Sequence, residues 1–146
     1  MRALAQFEAP PQDQSPEALL ARILRAILED FLLAQRENAA RIEQVEEALL
    51  RGRLEAQRPA LAEIRRNVLR IGRTLDPLLL SIEAIEEGES PLAWMDPTGR
   101  SALREALHRL RVAGRSITSL QERTRIAQDE LLAHSAEETN LSLIHI

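Results

Sequence analysis

The sequence predicts an all-α chain: a long antiparallel helical hairpin followed by a long stalk helix of coiled-coil-like character. Three observations carry this. Of 146 residues only two are Phe, one is Trp and none is Tyr, so a core must come from Leu, Ile, Val and Ala, which suit helix–helix seams. Glycine is scarce, at five residues, and Arg, Glu, Leu, Ala and Gln dominate, as in long helices. Apolar residues recur at three- and four-residue steps over long stretches, and runs such as "LLLSI" fall inside those periods.

Residues 1–14, with Pro10 and Pro11, read as an irregular segment. "SPEALL" then starts a helix. Ser15 can cap, Pro16 fits the first helical position, and Glu17 suits the positive end of the helix dipole. This helix is expected to reach about Leu50 and stop at Gly52. Its apolar stripe reads Leu20, Leu24, Ile27, Phe31, Ala34, Asn38, Ile42, Val45 and Leu49, with a stutter where two four-residue steps meet at Asn38.

The second helix, from about Arg58 to Glu86, carries Leu61, Ile64, Val68, Ile71, Leu75, Leu78, Ile82 and Ile85. This is a faultless heptad seam that demands a partner along its length. Pro77 sits within it, yet the seam keeps phase on both sides, which predicts one continuous, kinked helix. Gly88 ends it, and "GESPLAWMDPTGRS" reads as an interruption. Trp94, in that stretch, reads as a plug over the end of a helix pair. Residues 15–97 form the hairpin.

The third helix starts between Thr98 and Ser101 and runs to Asn140 or beyond, so 98–140 form the stalk. Leu103, Leu107, Leu110, Gly114, Ile117, Leu120, Thr124, Ala127 and Leu131 mark its seam. The next positions, His134 and Glu138, are polar. Some 40 residues would measure roughly 60 Å, more than a small bundle requires, so the stalk is expected to project and pack against copies of itself.

The net charge is −4, from 19 basic and 23 acidic side chains, and every basic one is Arg. The charges interleave along the chain without the one-sided basic surface of a nucleic-acid binder. There is no Cys, which excludes disulfides and thiolate metal sites. No apolar run reaches the ~18 residues of a membrane-spanning helix. Neither a Ser–His–Asp set, a Gly-rich phosphate loop nor a carboxylate cleft is present, so an enzyme is not expected.

Three stretches resemble a known family. "IEQVEEALLRG" is similar to an acidic helix of the CorA-type divalent metal ion transporters. "LAEIRRNVLRIGRTLDPLLLSI" resembles their antiparallel return helix, with its arginines and mid-helix Pro-Leu. "REALHRLRVAGRSITSLQERTRIAQDELLAHSAEETN" resembles the stalk that leads to the first membrane span, closest to the ZntB-like zinc transporter branch. The likeness covers residues 15–140. It implies the cytosolic helical portion of a homopentameric subunit in the cytoplasmic membrane. The cargo would be a divalent cation, Zn²⁺ or Mg²⁺, with no cofactor and no nucleic-acid partner. The expectation is a piece of a longer transporter, in which 141–146 either begin the first span or are an artefactual tail.

The same resemblance places Asn140 at the cytoplasmic mouth of the pore. An amide carbonyl there can bind the water shell of a cation that dehydrates reluctantly. By itself Asn140 equally suits a helix C-cap. Thr139 would add a hydroxyl. Asp129, eleven residues earlier and on nearly the same face, resembles a carboxylate that concentrates cations in the funnel, and also reads as a solvated Asp. Glu105 matches an inter-subunit sensing carboxylate that ZntB-like members do not reliably keep. His134 and Glu138, at i and i+4, form a two-ligand pair or a solvated one. Glu43, Glu46 and Glu47 are the wet face of a helix or add to cation attraction. His108 reads as a partly exposed seam flank, and His145 lies in the tail. The alternative function is a coiled-coil scaffold with no transport role.

Overall fold

In the computed structural model, residues 15–53, 55–87 and 96–145 are described. They form α1 (Pro16–Leu50), a short 3-10 turn (Glu55–Gln57), α2 (Arg58–Glu87) and α3 (Pro97–Ile144). No strand occurs among the described residues, so the all-α expectation holds. Residues 1–14, Gly88 and Trp94 lie outside the described residues, and with them the expectations attached there.

The helix ends follow local chemistry. Ser15 Oγ accepts a hydrogen bond from the Ala18 amide at 3.2 Å, the cap that "SPEA" promises. Gly52 adopts φ 73°, and the Gly52 and Arg53 amides donate to the Leu49 and Ala48 carbonyls. That pattern closes a helix with a left-handed residue, where glycine has no Cβ penalty. α3 begins at Pro97, slightly earlier than expected. The Asp-Pro read as a turn is instead a cap followed by a first helical proline: Asp96 Oδ2 accepts from the Thr98 amide at 3.1 Å. Pro77 lies inside an uninterrupted α2, and Ser81 donates its hydroxyl to the Pro77 carbonyl at 2.8 Å.

The chain forms two compact units, Met1–Ala34 with Thr74–Arg115, and Gln35–Arg73 with Ser116–Ile146. In the first, Ala21, Leu28, Leu75, Leu103, Ala106, Leu107, Leu110 and Ala113 are buried. A Cβ added at Gly114 would lie 2.6 Å from Leu79 Cδ1, so the glycine makes room for that leucine.

In the second unit the polar links give the helix directions. Gln35 pairs with Ser116 and Glu46 with Arg123, numbers that rise together, so α1 and α3 run parallel there. Arg58 meets Ser135, Arg65 meets Gln128, and Gly72 faces Gln121. Each step of seven along α2 is a step of seven back along α3, which is an antiparallel heptad register. Arg41 joins α1 to α2 through two hydrogen bonds to Glu63, at 3.1 and 2.6 Å. The core is Ile42, Val45, Leu49, Leu61, Ile64, Val68, Ile71, Ile117, Leu120, Ala127 and Leu131, with Asn38 and Thr124 buried among them.

Burial corrects the phase of α1. Leu20 is exposed and Ile27 and Ala34 are only half-buried, whereas Ala21 and Leu28 are buried. The inward line is Ala21, Leu24, Leu28, Phe31, Gln35, Asn38, Ile42, Val45 and Leu49, alternating three and four without a stutter. The apparent stutter arose because Gln35, a polar residue held by Ser116, occupies an inward position. On α2 every described seam side chain expected is buried or half-buried, and on α3 all nine expected positions are buried.

Ile64 is 0% exposed, so Ile64→Ala should lower unfolding free energy by about 2–5 kcal/mol, read from urea denaturation. Gly72→Ala should behave differently. Its Cβ would meet Gln121 Nε2 at 2.5 Å, the movable end of a side chain, while glycine inside a helix costs about 1 kcal/mol relative to alanine. Thermal unfolding should therefore show a neutral or slightly stabilised variant.

Candidate functional site

α3 buries one heptad line and presents the opposite side to solvent. The buried line ends at Leu131; His134 is half-buried and Glu138 exposed, so the inward face turns polar as expected. Asp129, Thr139 and Asn140 are all exposed on the outward side. Asn140 lies four residues before the end of α3 and so does not cap it. Thr139 donates its hydroxyl to the Ser135 carbonyl at 2.9 Å, leaving its oxygen able to accept.

Asp129 is not a bare carboxylate. Arg125 lies 3.3 Å from it and also makes two hydrogen bonds to Glu122, at 2.7 and 3.1 Å. The hydrogen bonds from Arg125 hold the Glu122 carboxyl below its ordinary value. One guanidinium thus serves two acids, and the trio keeps a single net negative charge on the outward face.

His134 Nδ1 stands 3.7 Å from Glu138 Oε1, the i, i+4 pairing its spacing predicts. Among the described residues no group of three or more His, Cys, Asp or Glu side chains could hold a metal ion. Glu105 pairs with Arg109 at 2.7 Å and Glu47 with Arg51 at 2.5 Å. Glu46 accepts from Arg123 Nε and Nη2 at 3.0 and 2.6 Å, which raises the Arg123 guanidinium above its ordinary value. Of the acidic trio on α1, Glu43 and Glu47 are exposed and Glu46 is half-buried. His108 and His145 are exposed.

The structure adds to Asn140 three residues that the sequence did not single out. Ser119, Ile126, Ala133 and Asn140 recur every seven residues and all are exposed. Seven residues of α-helix return to within about 20° of the starting face, so these four form one uncharged outward stripe on a helix otherwise rich in charge. The signal was present in the sequence, but the buried seam on the other side masked it. No helix among the described residues is long and apolar enough to cross a membrane. Leu141, Leu143 and Ile144 are nevertheless exposed large apolar residues directly after Asn140.

The model of a protein family described as "CorA-like Mg2+ transporter protein" matches residues 1–143, a longer stretch than the likeness read from the sequence. No curated protein and no solved structure matches the chain.

Replacing Arg125 with Ala should let the Glu122 carboxyl rise toward 4.5, its ordinary value, read by side-chain NMR titration. The sign is that of a lowered acid: the pair's stabilisation is present above the ordinary carboxylate range and is lost as pH falls through the lowered folded value. The variant should lose that acid-side dependence.

Proposed function

This chain belongs to the CorA-like Mg2+ transporter family, and on that premise we propose that it is the cytosolic helical portion of a divalent cation transporter subunit. The family match over residues 1–143 carries the reading. α3 acts as the stalk, its outward face lines a cytosolic funnel in a homopentamer, and the chain beyond Asn140 enters the cytoplasmic membrane. The exposed apolar run Leu141, Leu143 and Ile144 supports that continuation. The cargo is Mg²⁺ or Zn²⁺. The description of the matching family names Mg²⁺, and the ZntB-like resemblance favours Zn²⁺.

Within this reading the roles follow from charge and hydration. Asp129, sharing Arg125 with Glu122, contributes to a ring of modest negative potential that enriches cations without trapping them. Asn140 and Thr139 present neutral oxygens to a hydrated ion, suited to a cation that must not lose its water there. Copies arranged about one axis multiply each exposed group, so a single exposed Asn per chain becomes a ring. No catalytic step is assigned to any residue.

The test is ion flux into proteoliposomes carrying the intact subunit, with Mg²⁺ and Zn²⁺ supplied separately. Asn140→Ala should lower the flux of the transported ion, and Asn140→Asp should slow it by holding the ion at the mouth. Unchanged flux in both variants overturns the Asn140 assignment. An ion-indifferent dimer with no flux favours the scaffold.

A further inference from the structure

The last turns of α3 stand outside the seam that holds the rest of the helix. The buried line ends at Leu131, and among the described residues beyond it none is buried. His134 and Ser135 are half-buried and the others are exposed. This is the stretch that carries Thr139 and Asn140.

A chain of hydrogen bonds reaches it from the turn between α1 and α2. Glu55, in the short 3-10 turn, holds the Arg58 guanidinium at two points. Its Oε1 accepts from Nη2 at 2.9 Å, and its Oε2 lies 2.8 Å from Nε. Arg58 is the first residue of α2. So oriented, its Nη2 also donates to Ser135 Oγ at 2.9 Å. Within α3, the Ser135 carbonyl accepts the Thr139 hydroxyl at 2.9 Å, one turn along and next to Asn140. All four residues belong to the unit of Gln35–Arg73 and Ser116–Ile146.

Register does not require this link. Arg65 with Gln128, and Gly72 facing Gln121, already align α2 with α3, inside the span where both helices bury side chains. Arg58 to Ser135 carries the same alignment past the end of the seam, and what it adds there is a lateral tie. A guanidinium fixed by a carboxylate fork and donating to a hydroxyl is a charge-assisted, directional bond. Its effect on position follows from length. At about 1.5 Å per residue, Asn140 stands roughly 14 Å beyond Leu131 but only roughly 8 Å beyond Ser135. Any tilt of the projecting turns moves Asn140 in proportion to the distance from its last anchor. The tie at Ser135 therefore removes nearly half of that displacement. Oxygens that must surround a hydrated ion are sensitive to it, since a site works when its groups are held to within about 0.5 Å.

We propose that Arg58, oriented by Glu55, is a positioning residue. Through Ser135 it braces the end of α3 and so sets where Thr139 and Asn140 stand at the pore mouth. It touches no ion itself. The proposal rests on the transport reading above and gives the α1–α2 turn a part in it.

The chain has no cysteine, so spin labels attach only where one is introduced. Gln44→Cys on α1 and Glu137→Cys on α3 are changes at exposed positions. The labelled chain is diluted in unlabelled chain, so that pulsed EPR reads distances within one copy. Arg58→Ala and Ser135→Ala should each widen the distance distribution, by up to roughly twofold from the ratio of the two lengths. Ser135→Thr, which keeps the hydroxyl, and Arg65→Ala, which cuts a tie inside the seam, should leave it narrow. Thermal unfolding should barely change, because half-exposed links of this kind add little stability. An unchanged width in both alanine variants, or equal widening in Arg65→Ala, overturns the proposal. In proteoliposomes, Arg58→Ala and Ser135→Ala in the intact subunit should lower ion flux by a similar factor. The double variant should lower it no further, since the two residues act as one link. Widened distributions with unchanged flux, or additive losses, overturn the positioning role. An unaltered subunit that passes neither Mg²⁺ nor Zn²⁺ overturns the transport reading and the pore role with it, and the label widths then decide the brace alone.

Discussion

The burial of one heptad line on α3 is the constraint from which the rest follows. Leu103, Leu110, Ile117, Thr124 and Leu131, with Ala106, Ala113, Leu120 and Ala127 between them, are all buried. A helix that gives one face to such a seam has the opposite face fixed in direction. Asp129 and Asn140 are therefore outward because Leu131 and Ala127 are inward. Thr124 shows how strict the seam is: its buried hydroxyl is satisfied within the helix, donating to the Leu120 carbonyl at 2.7 Å, and needs no partner on another helix.

Apolar seams with a seven-residue repeat can slip by a heptad at little loss of contact, so register needs other signals. In the unit of Gln35–Arg73 and Ser116–Ile146, arginine supplies most of them. Arg41 to Glu63, Arg123 to Glu46 and Arg65 to Gln128 each join a different helix pair. The planar guanidinium fork matches a carboxylate with two hydrogen bonds at once, which fixes geometry as well as charge. Such half-exposed pairs add little stability individually. Their value is specificity: displacement by a turn leaves the forks of Arg41 and Arg123 without their carboxylates and Arg65 without the Gln128 amide oxygen. The same residue type on α3 moderates the outward field, since Arg125 partly neutralises Glu122 and Asp129.

Much of this was legible in the residues. The cap at Ser15, the glycine stop at Gly52, the start of α2 at Arg58, its passage through Pro77 and the polar fade after Leu131 each follow from local rules. The phase of α1 was not legible. Choosing the most apolar letters favours Leu20, Ile27 and Ala34, while the fold buries Ala21 and Leu28 and keeps Gln35 in line. A glutamine at an inward position is explained only by its partner Ser116, on another helix and 81 residues away. Asp96-Pro97 was ambiguous for a related reason, because the dipeptide serves a turn or a cap and only the chain that follows decides. Of the candidate site, Asn140 and Asp129 were found through likeness to a family, while the uncharged stripe that ends at Asn140 emerged once burial identified the outward side.

The sequence by itself determined that this protein is helical, where α1 begins and ends, where α2 begins, and that α2 and α3 each offer a continuous seam. These properties are local, set by period, caps and breakers within a few turns. The tertiary structure alone decided which of two overlapping apolar lines on α1 turns inward and which α2 residue meets which on α3. Those properties depend on contacts between residues distant along the chain, and no local rule fixes a partner that another helix must supply.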